Sequence, residues 1–299
     1  MILENKAIIT SCSNKFFPSV LNLIGSIKKN YPNHPTIYVY DLGLLKLFVG
    51  VLKNIKDVKV LSIPHFVPYW RACYTWKTYI LANPIAKQNF YMDAGCQVLL
   101  PLDEIFDQID SVGHFVVQQQ AKLDWIVPLE YRNWITVDPV YYDRNCLTAG
   151  IVGFKNESTI TPVLKKLYDM ACSGLCLGFS QIDARRNTGV NKTAFVRNCR
   201  LFRHDTTLWS MLYRQAFGDQ HDTKVDESGV FVLSSKDGRQ LIKNLRLNFL
   251  TLDFVNSIYW GDKTRETHTF LDMYIGMYLI LKRINLGFKK FIGYRGIYK

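Results

Sequence analysis

The sequence predicts an α/β fold, an open, mostly parallel sheet flanked by helices. Two observations carry this. Short β-rich apolar runs alternate with helix-period segments over the first hundred or so residues, and the acids Asp41 and Asp93 fall where apolar strands end. "KAIITSC" reads as the first strand. "PSVLNLIGSIKKNYP" carries Val20, Leu21, Leu23, Ile24 and Ile27 at helical spacing and stops before Pro32. "TIYVYDLGL" is a second apolar strand, so strand, helix and strand close a βαβ unit with parallel pairing. The pattern repeats as helix "LLKLFVGVLKNI", strand "VKVLSI", helix "YTWKTYILANPIA" and strand "FYMDAGCQVL". The strand ends at Thr10, Asp41 and Asp93 are then available to build one crevice.

Beyond Asp93 the alternation loosens. "PLDEIFDQI" reads as a helix, "HFVVQQ" and "AGIVGF" as strands, and the polar and aromatic stretch 121–148 between those strands as a loop. "STITPVLKKLYDMACS" is a helix with a serine available at its start, and "DTTLWSMLYRQAF" a helix capped by Asp205. Residues 180–200, dominated by polar and charged side chains, read as a mobile loop.

With 299 residues and 48% hydrophobic content the chain can bury a sizeable core. There is no repeat, low-complexity tract or convincing linker, so one domain over 1–270 is expected, followed by a basic amphipathic helical segment over 271–299. No run reaches the roughly 20 apolar residues that span a bilayer, and Glu4 stands where a signal peptide has its apolar core, so a cytoplasmic protein is expected. Seven cysteines with one CxxxC pair, Cys172 and Cys176, support neither a zinc site nor a disulfide framework.

The net charge of +12 calls for an anionic partner. From Lys282 onward six Lys or Arg and no acid are interleaved with Ile, Leu, Phe and Tyr. That character suits peripheral contact with an anionic membrane surface, and it equally suits a solvated tail whose aromatics pack on the domain. Nucleic acid ranks last as a partner, because no helix-turn-helix, zinc-finger or RNA-binding signature is present.

A carboxylate at the C-terminal end of a parallel strand faces the ligand crevice, where it can hold a cation or a sugar hydroxyl. "FYMDAG" has this form: the aromatics anchor the strand, Asp93 projects, and Ala94 and Gly95 leave room for a ligand. A turn aspartate bonding its own backbone fits the same residues.

The ordered set "AIITSCSNKFFPSVLNLIGSIKKNYP", "IYVYDLGL", "YTWKTYIL", "FYMDAGCQVLLPLDEIF", "TAGIVGFKNES" and "RHDTTLWSMLYRQ" resembles nucleotide-sugar-dependent glycosyltransferases of the GT-A fold. It is most similar to those with Tyr-Asp-Leu-Gly-Leu after the second strand and Trp-Lys on the following helix. The similarity covers roughly residues 5 to 217. It implies transfer of a sugar from a nucleotide-sugar donor to a hydroxyl of a glycan or lipid-linked acceptor. By the same resemblance Thr10, Ser11, Cys12 and Asp41 line the nucleoside pocket, and Lys77 sits near the donor diphosphate. Asp93 matches the first acid of the Asp-x-Asp motif that binds ribose and Mn²⁺ or Mg²⁺; Gly95 replaces the second acid, which puts the divalent cation in doubt. His268, with His221 behind it, is the candidate distant metal ligand, each with a surface histidine as the plainer reading. Gly150 gives the acceptor room or serves strand packing. Asp205, preceded by Arg203 and His204, orients the acceptor hydroxyl or caps its helix. The missing second acid also motivates a non-catalytic relative that keeps the fold for binding.

Overall fold

The structure, a computed structural model, describes residues 4–178, 199–223 and 232–244. The predicted loop 180–200, except Cys199 and Arg200, and the basic segment 271–299 lie outside the described residues. So does His268.

β1 (Glu4–Cys12), α1 (Phe17–Asn30) and β2 (Ile37–Asp41) form the expected βαβ unit, and β1 and β2 pair in parallel from Ile8↔Ile37 to Cys12↔Asp41. Pro18 supports the first turn of α1, where its missing N–H costs nothing. Next come α2 (Lys46–Lys53), β3 (Val58–Ser62), α3 (Thr75–Ala82) and β4 (Ala86–Met92). "FYMDAGCQVL", expected as one strand, is two. β4 stops at Met92, and β5 (Cys96–Val98) leaves for another sheet after the turn Asp93–Gly95.

After α4 (Asp103–Val112) come β6 (His114–Lys122) and β7 (Asn145–Lys155), an antiparallel pair. Between them the expected loop is shorter and partly ordered: α5 (Leu123–Ile126) and α6 (Leu129–Arg132) are single turns, and Pro139–Asp143 is a 3-10 turn. α7 (Thr161–Cys172) starts without a side-chain cap, because the Ser158 hydroxyl donates to Lys155 and Gly113 carbonyls instead. α8 (Asp205–Phe217) is capped neither by Asp205, its first residue, nor by the His204 side chain.

The main sheet has seven strands in the order β3-β2-β1-β4-β7-β6-β8, with β8 at Asp222–Thr223. Four of its six pairings are parallel, so the expected mostly parallel sheet is present, with an antiparallel part around β7. β9 (Val232–Ser234), β10 (Gln240–Asn244) and β5 form a small antiparallel sheet. Strand alternation splits the core. Ile8, Val39, Phe90 and Met92 join α1, α2 and α4 on one face, while Ile9, Tyr40, Tyr91 and Val152 join α3, α7 and α8 on the other. The parallel strands β1, β2 and β4 end side by side, which brings Ser11, Asp41 and Asp93 to one sheet end.

Candidate active site

Three polar side chains meet where β4 ends. The Lys77 Nζ lies 3.1 Å from Asp93 Oδ1 and 3.2 Å from Asp205 Oδ2. Lys77 comes from α3, Asp93 from the turn after β4, and Asp205 from the first turn of α8, so one ammonium ties three elements together. Their side chains are 4%, 40% and 5% exposed respectively, which makes Asp93 the member that faces solvent. On the far side of Asp93, the Tyr91 hydroxyl donates to Oδ1 at 2.7 Å and stands 3.2 Å from the Ser11 hydroxyl. The result is a polar line from the end of β1 to the start of α8.

Electrostatics follow from burial. Burial pushes the Asp205 carboxyl up, Lys77 opposes this, and the Asp93 charge adds to the rise. Burial alone would lower the Lys77 ammonium, but Asp205 and Asp93 hold it above its ordinary value. Rings of Tyr74, Trp76 and Tyr91 stand 5.2, 5.6 and 5.5 Å from Nζ, so the charge is walled by aromatic faces.

Gly150 backs the site. A Cβ there would stand 2.6 Å from Asp93 Oδ2, and the Gly150 carbonyl accepts from the Asp93 N–H at 2.8 Å. Its small size is needed by Asp93 itself, whatever enters beside it.

The rings of Tyr74 and His204 lie with centroids 6.2 Å apart, and both residues have positive φ, 61° and 53°. Cys73 precedes Tyr74 with φ 51°. Non-glycine residues in such conformations cost of order 1–3 kcal/mol each and gather at functional sites. No spacing rule flags Tyr74, which is 45% exposed at the mouth; its position next to Trp76 and Lys77 is the only signal the sequence offers.

The other expected residues scatter. Ser11 belongs to the polar line. Thr10 and Cys12 point to the opposite sheet face, both fully buried, with the Cys12 thiol donating to the Ser13 carbonyl. Asp41 Oδ1 accepts from Gly43 and Leu44 N–H at 2.7 and 2.6 Å, as a turn aspartate bonding its own backbone does. The ring of His204 is buried and its Nδ1 lies 2.8 Å from the Cys176 carbonyl. Asp205, read as orienting an acceptor hydroxyl or capping its helix, has its carboxylate enclosed and turned onto Lys77. Lys77 in turn is enclosed rather than open to a diphosphate.

A divalent cation takes several oxygen ligands at short range. Asp93 Oδ1 is engaged by Lys77 and Tyr91, Oδ2 packs at Gly150, and Gly95 adds no side chain. No group of three His, Cys, Asp or Glu suited to a metal occurs among the described residues, so these do not fit a resident divalent cation at Asp93.

No family model matches the chain, and no curated protein matches it. Among solved structures the chain is similar to glycosyltransferases. One is the bifunctional glycosyltransferase WbbM, at 14% identity over 55% of this chain and 35% of that one, with a TM-score of 0.42. A second is the galactosyltransferase LgtC in complex with donor and acceptor sugar analogs, at 11% identity over 74% of this chain and 73% of that one, with a TM-score of 0.43. A third is core-mannan synthase A from Aspergillus fumigatus in a Mn/GDP form, at 12% identity over 74% of this chain and 72% of that one, with a TM-score of 0.47. The chain thus spans about a third of the length of WbbM.

Proposed function

We propose that this chain is a GT-A-type glycosyltransferase that moves a sugar from a nucleoside-diphosphate sugar to an acceptor hydroxyl of a glycan or lipid-linked glycan. The observation that carries the reading is the Ser11–Tyr91–Asp93–Lys77–Asp205 line at the mouth of the parallel strands β1 and β4. The sequence motifs point to the same donor chemistry. The nucleoside lies over the ends of β1 and β2, beside Ser11 and the Asp41 turn. Asp93, the exposed member of the line, accepts from a donor hydroxyl. Lys77 and Tyr91 fix its carboxylate, so the sugar meets a pre-set acceptor rather than a mobile one.

In the reaction the bond from the anomeric carbon to the diphosphate oxygen breaks, and a bond from that carbon to the acceptor oxygen forms. The acceptor hydroxyl proton is released, and the nucleoside diphosphate leaves with the bonding pair. Asp205 acts through Lys77 as a positioning residue. The basic segment 271–299 suits an anionic membrane surface that carries a lipid-linked acceptor.

Incubation of the chain with a panel of nucleotide sugars and glycan acceptors tests this. One donor is expected to turn over, and Asp93→Ala is expected to lower kcat/KM by about a hundredfold or more. Equal turnover by Asp93→Ala would remove Asp93 from the site. A second reading, a non-catalytic binder, draws on Gly95 in place of an acid and on the enclosure of Lys77. It predicts nucleotide-sugar binding without turnover of any donor.

A further inference from the structure

Lys77 is shared by Asp93 and Asp205, so it offers no surplus positive charge to an anionic substrate. Another cation stands at the same sheet end. The Arg71 guanidinium is placed by two contacts: its Cζ lies 4.7 Å from the centre of the buried Trp70 ring, and it rests on Gly43. Its Nη1, Cζ and Nη2 stand 3.2, 3.1 and 3.0 Å from the point a Gly43 Cβ would occupy, nearly equal distances that lay the group flat against that residue. Glycine is needed there twice, for its φ of +101° and for the missing Cβ. Gly43 belongs to the turn held by Asp41 at the end of β2, so Arg71 stands at the end of the parallel strands. With strands about 4.8 Å apart, the ends of β2 and β4, two strands along the sheet, are about 10 Å from each other. One nucleotide-sized ligand can touch both.

Arg71 is exposed, and its N–H groups have neither an acid nor a hydrogen-bond acceptor among the described residues. It lines a cavity of about 480 Å³ together with His65, Phe66, Val67, Pro68 and Trp70, and no acid belongs to that lining. The His65 ring leans on the same indole, with centroids 5.2 Å apart. Contacts with Trp70 and Gly43 thus fix the guanidinium without using any of its donors. A pre-set fork of free N–H groups beside an acid-free cavity matches a phosphate or a carboxylate.

We propose that Arg71, backed by Trp70 and seated on the Gly43 turn, is an oxyanion-binding residue at the β2 side of the crevice. Only the source of the oxyanion rests on the glycosyl-transfer reading. It comes either from the donor diphosphate or from an anionic acceptor, such as a sugar phosphate or a uronic acid.

The test titrates the full chain and its Arg71→Ala, Arg71→Gln and Arg71→Lys variants. Arg200→Ala is the matched control: that guanidinium is also exposed and stacked on an indole, Trp125 at 4.4 Å, but α5 follows β6, four strands along the sheet from β2. One arm compares nucleoside diphosphates with the parent nucleosides. The other compares glucose 1-phosphate and glucuronate with glucose, with and without the nucleoside diphosphate. In one arm, Arg71→Ala and Arg71→Gln are expected to weaken the anion by about tenfold or more while leaving the neutral ligand unchanged. Arg71→Lys should keep part of that affinity, and Arg200→Ala all of it. The responding arm names the source. Unchanged anion affinity of Arg71→Ala in both arms overturns the proposal, as does an equal loss for the neutral ligand or in Arg200→Ala. If the wild-type chain binds no nucleotide yet holds sugar phosphate through Arg71, the glycosyl-transfer reading fails and the oxyanion site stands.

Discussion

Lys77 is the residue on which the site's order depends, because removing it leaves Asp205 buried without its counter-charge. Lys77→Met is therefore expected to destabilise the chain by about 3–5 kcal/mol in urea unfolding. Asp205→Asn in the same chain should restore much of that loss, since it removes the uncompensated charge. Gly150→Ala acts on the neighbouring carboxylate. Its Cβ would collide with Asp93 Oδ2 at 2.6 Å, and the backbone bond between the two residues resists a shift. Expected are a stability loss of about 1–3 kcal/mol and a larger relative loss of donor binding. A Gly150→Ala chain with wild-type donor affinity would show that Asp93 is free to turn away. Asp93 was legible as a crevice residue from its strand end, whereas Thr10, read the same way, faces the other side of the sheet, and Ser11 and Lys77 entered only through the family resemblance. The enclosure of Asp205 was not legible, because burial is decided by packing from α3, α7 and α8 rather than by neighbours in sequence.

At the scale of elements, α8 connects two environments. Its N-terminal end carries Asp205 to the site, and its C-terminal end packs on the start of β6. There the His114 Nε2 meets the Tyr213 hydroxyl at 2.9 Å, and its ring lies 4.7 Å from Phe217 and 5.8 Å from His221. Burial, with a smaller effect from His221, lowers the His114 imidazole from 6.5 to about 4. The unfolded chain then binds this proton more readily than the folded one, so stability falls as pH drops from about 6.5 to about 4. The whole effect is about 3 kcal/mol, and His114→Gln should flatten that part of the pH–stability curve. A curve with the same slope in His114→Gln would assign the effect elsewhere. Elements of the first half were readable because each apolar run, its spacing and its stop signals are local. "FYMDAGCQVL" misled because its apolar residues continue across the turn: Val98 pairs with Ile242, more than a hundred residues on.

The described residues form a mixed seven-stranded sheet between two apolar layers, with the candidate chemistry at one sheet end. The parallel order of β1, β2, β3 and β4 follows from short βαβ connections, which leave little choice of topology. The antiparallel placement of β7 beside β4, and the three-stranded sheet that takes up β5, depend on pairings between distant segments and have no local signature. No helix among the described residues is long and apolar enough to cross a membrane, and the proposed function assigns membrane contact to the charge of the basic segment 271–299. Under that reading, binding to vesicles rich in anionic lipid should weaken steeply as salt rises and vanish when residues 271–299 are removed, as a sedimentation assay would record. Vesicle binding that survives both changes would place the contact elsewhere.

The most direct test of the account is a thermal-shift panel of nucleoside diphosphates and their sugars, run on the wild-type chain and on Asp93→Ala, with and without Mn²⁺. The account predicts that one nucleotide family raises the melting temperature of the wild-type chain, and that Asp93→Ala loses the shift given by the nucleotide sugar. No shift with any nucleotide, or an equal shift in Asp93→Ala, would contradict it.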